Sequence, residues 1–463
     1  MDQSDFNTDY PFKCDAVIRT GHTANIFNAQ MLPFSTRIAT VAGDKQVRVF
    51  DIGAMAAPLS GSETIHQPRD TCIRVIRCHG ARTKRIVAEE SSDLFLTVAE
   101  DGTVRLHDLR TPQHACYKGE CSAPLVKMPH DLSTLAMSPL TPYQFVVGGE
   151  SAFAHLFDRR QLRRTLRATW GISSQEDELT TCVRRFGRNL GAPRGRSRED
   201  HITGARMASS NGHEVLLSYS SDAVYLYSTQ DEPGSHSKRP SPILSPNEVK
   251  DTINEHMIRS IDSSEAEDNE TDLVSSCLDD EDSEGSDGSG EATDSEAEMQ
   301  VYDDVPIIYP RARFTGHCNS ATVKDVNFVG PNDDFVVSGS DDGNFFMWRK
   351  DTGTLHGIYE GDGSVVNVIE AHPHLPLLAV SGIDTTVKLF APSLNPSSEF
   401  SRMSNSESIM DRNSQASRQH PTRSLGIDLI QFVLRHEGEL RALRMADRED
   451  DGDHEATVTC PTQ

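Results

Sequence analysis

The sequence predicts an all-β fold assembled from repeats, a β-propeller, and three observations predict it. The first is the stretch 336–348, V-V-S-G-S-D-D-G-N-F-F-M-W, in which short apolar runs flank a polar turn. Ser340-Asp341-Asp342-Gly343 has what a hairpin turn needs: carboxylates that accept backbone N–H bonds, then a glycine that tolerates positive φ. The second is recurrence. Gly316-His317 precedes this turn and Trp348 closes the strand after it. The same succession returns at His22/Asp44/Phe50, His79/Asp101/His107, His130/Glu150/Phe157, His201/Asp222/Tyr227 and Asp362/Asp384/Phe390. The third is register: 22 residues separate the opening position from the turn carboxylate at 22 to 44, 79 to 101 and 362 to 384, and the other units stay close to that spacing. Stacked units of this kind share one continuous core, so a chain of 463 residues need not be cut into several domains.

A Gly-His, a Ser/Asp turn and an aromatic-closed strand form the signature of a WD-repeat blade. Six units are recognisable, and the propeller is placed at 14–392. Ala16–Thr20 precedes the first unit, and the last unit stops at its third strand, Val387–Phe390, before Pro392. The expectation is that the early strand completes the last blade and removes its open edge. Two inserts interrupt the repeats. Residues 160–199 are arginine-rich, with eleven arginines, no lysine and three acids over 159–198. They suit an acidic or nucleic-acid partner, or a solvated loop; without interleaved aromatics, nucleic-acid binding is not favoured. Residues 229–304 are acidic, with sixteen Asp and Glu and no Lys or Arg over 262–298. Such a run buries too little apolar surface to offset its ordering entropy, and disorder is expected. Its Ser264, Ser283, Ser286 and Ser295 stand before acids, as in acidophilic-kinase sites or a plain acidic spacer. Residues 393–424 read as a linker, 425–447 as a helix with apolar positions at Ile427, Ile430, Leu434, Leu440 and Leu443, and 448–463 as a disordered tail.

Composition bounds the function. Hydrophobic residues make up 36% and the formal charge is −25, which fits a partly unfolded acidic chain and argues against a surface that is nucleic-acid-binding throughout. Nine cysteines are scattered with no C-x-x-C pair, and no apolar run reaches membrane length. The expected setting is soluble and intracellular, in nucleus or cytoplasm, with free thiols. No nucleotide-binding, serine-nucleophile or zinc-protease motif is present, and neither a cofactor nor a catalytic role is expected. His22, His79, His201 and His317, with Asp44, Asp101, Asp222, Asp342 and Asp384, recur by blade position and are expected to form buried polar networks alongside Trp348.

Two consecutive units end alike, His107-Asp108-Leu109-Arg110 and Phe157-Asp158-Arg159-Arg160, so both fit aromatic-Asp-x-Arg with an arginine just past the third strand. These ends resemble the docking boxes of the DCAF family, the WD-repeat substrate receptors of cullin-4 RING ubiquitin ligases. The stretches 20–33, 143–149, 316–331, 335–343 and 372–384 resemble its DCAF-eight branch. The resemblance implies a non-enzymatic receptor that links the ligase's adaptor propeller to an unidentified target protein. Arg110 and Arg160 would dock the adaptor, with Asp108 and Asp158 orienting them and His107 and Phe157 completing the boxes. The family pattern has seven repeats, and position 107 is His where the box has Trp, Tyr or Phe. A nuclear or chromatin-associated scaffold acting without the ligase is the alternative.

Overall fold

Antiparallel strands of about five residues build six small sheets in the computed structural model, and the middle strands of several sheets, such as 145–149, 154–158 and 224–228, are buried on both faces. It describes residues 14, 16–53, 64–111, 123–161, 182–188, 201–234, 302, 304–392 and 400–419. The propeller belongs to a unit formed by 1–235 and 305–463; the second unit, 236–304, lies outside the described residues except for its last few positions. The predicted helix at 425–447, the tail at 448–463 and the acidic run at 262–298 also lie outside them.

Blade one holds Ile26–Met31, Arg37–Ala42, Val47–Asp51 and Cys72–Ile76; blade two holds Thr83–Ala88, Leu94–Ala99, Thr103–Asp108 and Val126–Lys127. Blade three comprises Leu132–Met137, Gln144–Gly149, Ala154–Asp158 and Cys182–Phe186, with Ile307–Ile308 added in parallel as a fifth strand. Blade four holds Ile202–Met207, Glu214–Tyr219, Val224–Ser228 and Ala312–Phe314, and blade five Val326–Val329, Phe335–Gly339, Asn344–Arg349 and Leu355–Glu360. Blade six has three strands, Val366–Ala371, Leu378–Gly382 and Val387–Phe390. The core lies between blade faces: Val41, Val49, Ile86 and Phe95 join blades one and two, and Val337, Phe345, Val366 and Val380 join blades five and six. The 336–348 hairpin forms as expected. Gly343 has φ +81°, and a Cβ there would approach Asp362 O to 2.6 Å.

Four sequence expectations change. Ala16–Ile18 pairs in parallel with Thr64–His66, beside blade one, and does not complete blade six. Arg19 N–H donates to His66 O (2.9 Å) and Arg48 to Thr20 O (2.8 Å), which ties the segment to blade one. Among the described residues, no packing like that between consecutive blades joins blade six to blade one. Ile26, Met31, Val387 and Leu389 accordingly stay 46%, 49%, 66% and 45% exposed. The arginine-rich insert is not loop throughout: Cys182–Phe186 is the fourth strand of blade three, burying Cys182, Arg185 and Phe186. The acidic insert begins later than 229, because Thr229 N–H bonds His213 O and Asp231 holds Arg311. The linker stretch contains a helix, Ser406–Gln419. It buries Ile409, packs Met410 against Gly316, and sends Asn413 to Gly316 O (2.9 Å) and Asp342 Oδ2 (3.1 Å).

A candidate docking rim on blades two and three

Strand three of blade two ends at Asp108 and strand three of blade three at Asp158. In both, the carboxylate turns back over the next residues and accepts three bonds from the arginine two positions on. Asp108 accepts from Arg110 N (2.9 Å), Nε (2.9 Å) and Nη2 (2.8 Å). Asp158 accepts from Arg160 N (2.9 Å), Nε (3.0 Å) and Nη2 (2.6 Å). This is the planar fork that a guanidinium makes with a carboxylate. The bond from Arg110 holds the Asp108 carboxyl below its ordinary range, and that from Arg160 does the same for Asp158. The arginine side chains remain 65% and 62% exposed. The fork uses one side of each guanidinium, so its remaining N–H donors face solvent in a fixed orientation. Arg160 also stacks 3.7 Å above the Tyr143 ring.

Bonds to the preceding blade brace both arginine turns. Arg74, on blade one's last strand, donates to Leu109 O (2.6 Å) and Thr111 O (2.8 Å), gripping the carbonyls on both sides of Arg110. Arg37 of blade one bonds Asp93 of blade two (2.6 Å), and Leu109 N–H bonds Asp93 O (2.9 Å). Arg159 of blade three bonds Glu89 of blade two (2.8 Å), while its own N–H bonds Tyr143 O (2.8 Å). Arg74, Arg37 and Tyr143 are the residues that sequence reasoning missed. Their positions carry no repeat signal, and only the stacking of blades brings them to the boxes.

The other two box residues sit elsewhere. His107 is 6% exposed and Phe157 is 0% exposed, so neither can touch a partner. Period-two alternation sends position 107 inward when 108 points out. His107 Nε2 pairs with Thr97 Oγ1 (2.7 Å), which pairs with His79 Nε2 (2.8 Å), while His79 Nδ1 pairs with Asp101 (3.1 Å). Burial pushes the His107 imidazole down to about 3, so it stays neutral within this chain of bonds. Phe157 stacks on Phe145 inside blade three.

The predicted blade networks assemble in part. His22 joins Asp44 (3.0 Å) and Thr40 (2.9 Å), matching the His79–Asp101 arrangement. Burial opposes ionisation of Asp101, yet bonds from His79 and Thr103 hold its carboxyl far below the ordinary range. Elsewhere the pairs do not meet. Asp222 is taken by Arg188, Arg313 and Tyr225, and His201 Nε2 has no partner among the described residues. Asp342 receives Asn344 N–H and Asn413 from the helix, and neither His317 ring nitrogen has a hydrogen-bond partner among the described residues, although the ring packs against Trp348. The 25-residue spacing from 317 to 342, three more than in blades one and two, is the sequence signal for that break. Asp384 binds Lys388, Thr386 and Gly363 N–H, since blade six opens on Asp362 instead of histidine. Trp348 is buried and donates to Thr315 O (3.1 Å). No group of side chains able to hold a metal occurs among the described residues. The rim offers oriented charge-assisted donors, which suits binding.

Residues 309–349 match the family model "WD domain, G-beta repeat". The chain is similar to WD repeat protein iqw1 of Schizosaccharomyces pombe (strain 972 / ATCC 24843), at 32% identity over 48% of this chain and 27% of that one. It is similar to WD and tetratricopeptide repeats protein 1 of Homo sapiens at 49% identity over 19% of this chain and 13% of that one. It is also similar to DDB1- and CUL4-associated factor 6 of Mus musculus at 31% identity over 50% of this chain and 24% of that one. The chain thus spans about a quarter or less of the length of these curated relatives.

Proposed function

We propose that this WD-repeat propeller is a substrate receptor that links the adaptor of a cullin-4 RING ubiquitin ligase to a target protein. The observation that carries the reading is the pair of aspartate-held, solvent-facing arginines, Arg110 and Arg160, on consecutive blades. Likeness to a relative whose name associates it with DDB1 and CUL4 supports it. Such a receptor acts by holding two proteins at a fixed distance and orientation, with no chemistry of its own. The finer placement in the DCAF-eight branch and an intracellular setting, nucleus or cytoplasm, belong to the same reading.

The test is co-precipitation of the adaptor with wild type, Arg110→Ala, Arg160→Ala and the double variant, each also followed by thermal melt. Anchoring interface arginines typically weaken binding by roughly thirtyfold when truncated. The expected result is loss of the adaptor with an unchanged melt, because both guanidinium heads are exposed. A folded double variant that binds like wild type would make the arginines ordinary rim residues. If wild type never captures the adaptor, a nuclear or chromatin-associated scaffold independent of the ligase becomes the better reading.

A further inference from the structure

Phe34 lies in the turn between the first two strands of blade one, at the end of the blades that carries Arg110 and Arg160. It is 88% exposed and has φ +56°. Both features act against the fold. A left-handed backbone costs free energy at a residue with a bulky side chain, and an aromatic ring in water gives none back. In the equivalent turns of blades four and five, the positive φ values fall on Gly212 and on Gly330 and Asp333, residue types that accept them. The turn of blade one is held without the ring. Leu32 N–H bonds Arg37 O (2.9 Å), Ser35 Oγ bonds Leu32 O (2.9 Å), Ile52 N–H bonds Thr36 O (2.9 Å) and Thr36 Oγ1 bonds Asp51 (2.8 Å). Backbone strain that the surroundings over-determine is characteristic of functional sites.

The turn is continuous with the arginine rim. Arg37 leaves it and bonds Asp93, whose carbonyl receives Leu109 N–H next to Arg110. On the far side, Tyr143 beneath Arg160 belongs to the turn that displays Leu140, 57% exposed. Phe34, Arg110, Arg160 and Leu140 all follow a first or third strand of blades one to three, so an aromatic ring, two fixed guanidinium groups and an aliphatic side chain stand at one end of these antiparallel sheets.

We infer that Phe34, together with Leu140, is an apolar anchor of the docking surface on which Arg110 and Arg160 lie. The inference rests on the receptor reading and deepens it. The partner is the protein surface that pairs carboxylates with the two arginines, and it carries an apolar pocket that receives the Phe34 ring. Aromatic and arginine side chains at the centre of an interface are the pairing that dominates binding elsewhere.

The test measures association and dissociation rates of the purified adaptor on full-length wild type, Phe34→Asn, Phe34→Gly, Leu140→Ser and the Arg110→Ala/Arg160→Ala double variant, at low and high salt. Phe34→Asn should weaken binding roughly tenfold or more through faster dissociation, and leave the salt dependence of association intact. The arginine variant should lose that salt dependence. The melt of Phe34→Asn should equal or exceed wild type, since asparagine tolerates positive φ. If the arginine variant fails to bind while both Phe34 variants bind like wild type, the inference is overturned and the receptor reading stands. A binding loss matched by a lowered melt in both Phe34 variants also overturns it, because the ring would then be holding its turn. If wild type does not bind the adaptor, the receptor reading fails and this inference falls with it.

Discussion

Asp341→Ala should destabilise the propeller more than Lys324→Met, although both break the same ion pair. Lys324 is 0% exposed. Its ammonium bonds Asp341, Thr322 Oγ1, Thr322 O (3.0 Å) and Asn367 Oδ1 (3.3 Å), and burial pulls its pKa down. Removing the carboxylate leaves a buried cation without a counter-charge, a loss on the order of 3–5 kcal/mol. Asp341 has other donors in Ser320 N–H (2.6 Å) and Ala321 N–H (2.9 Å). Methionine keeps most of the lysine volume and leaves that carboxylate hydrogen-bonded, for a loss on the order of 1–2 kcal/mol. At roughly 2–4 °C per kcal/mol for a domain of this size, Asp341→Ala should melt about 10 °C lower and Lys324→Met about 4 °C lower. The double variant should regain part of the Asp341→Ala loss, because no charge is then stranded. Thermal melts and urea midpoints at pH 7 on the four proteins measure this cycle. A Lys324→Met variant as damaged as Asp341→Ala would refute the reasoning.

Stability should fall as pH drops from about 6.5 toward about 4. Burial holds His130, His201 and His317 at about 4, whereas in the unfolded chain they titrate near ~6.5. In that window the unfolded state binds more protons, so each histidine removes up to about 1.4 kcal/mol per pH unit; a urea midpoint that is flat between pH 7 and pH 5 would contradict this. Val17→Pro should move the melt by less than about 3 °C, because Ala16–Ile18 pairs only with Thr64–His66 in a two-stranded sheet that adds little by itself. A much larger drop would mean that this strand closes a blade.

Much of the fold was legible because its signals are local. Turn carboxylates, the glycine at 343 and strand alternation each act within a few residues, and repetition multiplied them into six blades. The Asp–Arg pairs were singled out through the family resemblance, and the forks close locally because Asp108 and Arg110, like Asp158 and Arg160, are two residues apart. The rest depends on which distant segments meet. Arginine-dense residues hid the strand Cys182–Phe186, which is set by its pairing with Ala154–Asp158 and Ile307–Ile308. Ser406–Gln419 lacks a strong apolar stripe and is helical where Ile409 and Asn413 find blade five. His107 read as a box residue, and burial beside Thr97 and His79 places it in the blade's polar network instead. The sequence by itself determined the repeat and its turns, and the family resemblance singled out the two Asp–Arg pairs. The tertiary structure decided where Ala16–Ile18 pairs, which histidines find their carboxylates, and that Phe34 stands on the same rim as Arg110. Those outcomes turn on contacts between residues far apart in the chain, and hydrophobic burial and backbone pairing select them only when the blades stack.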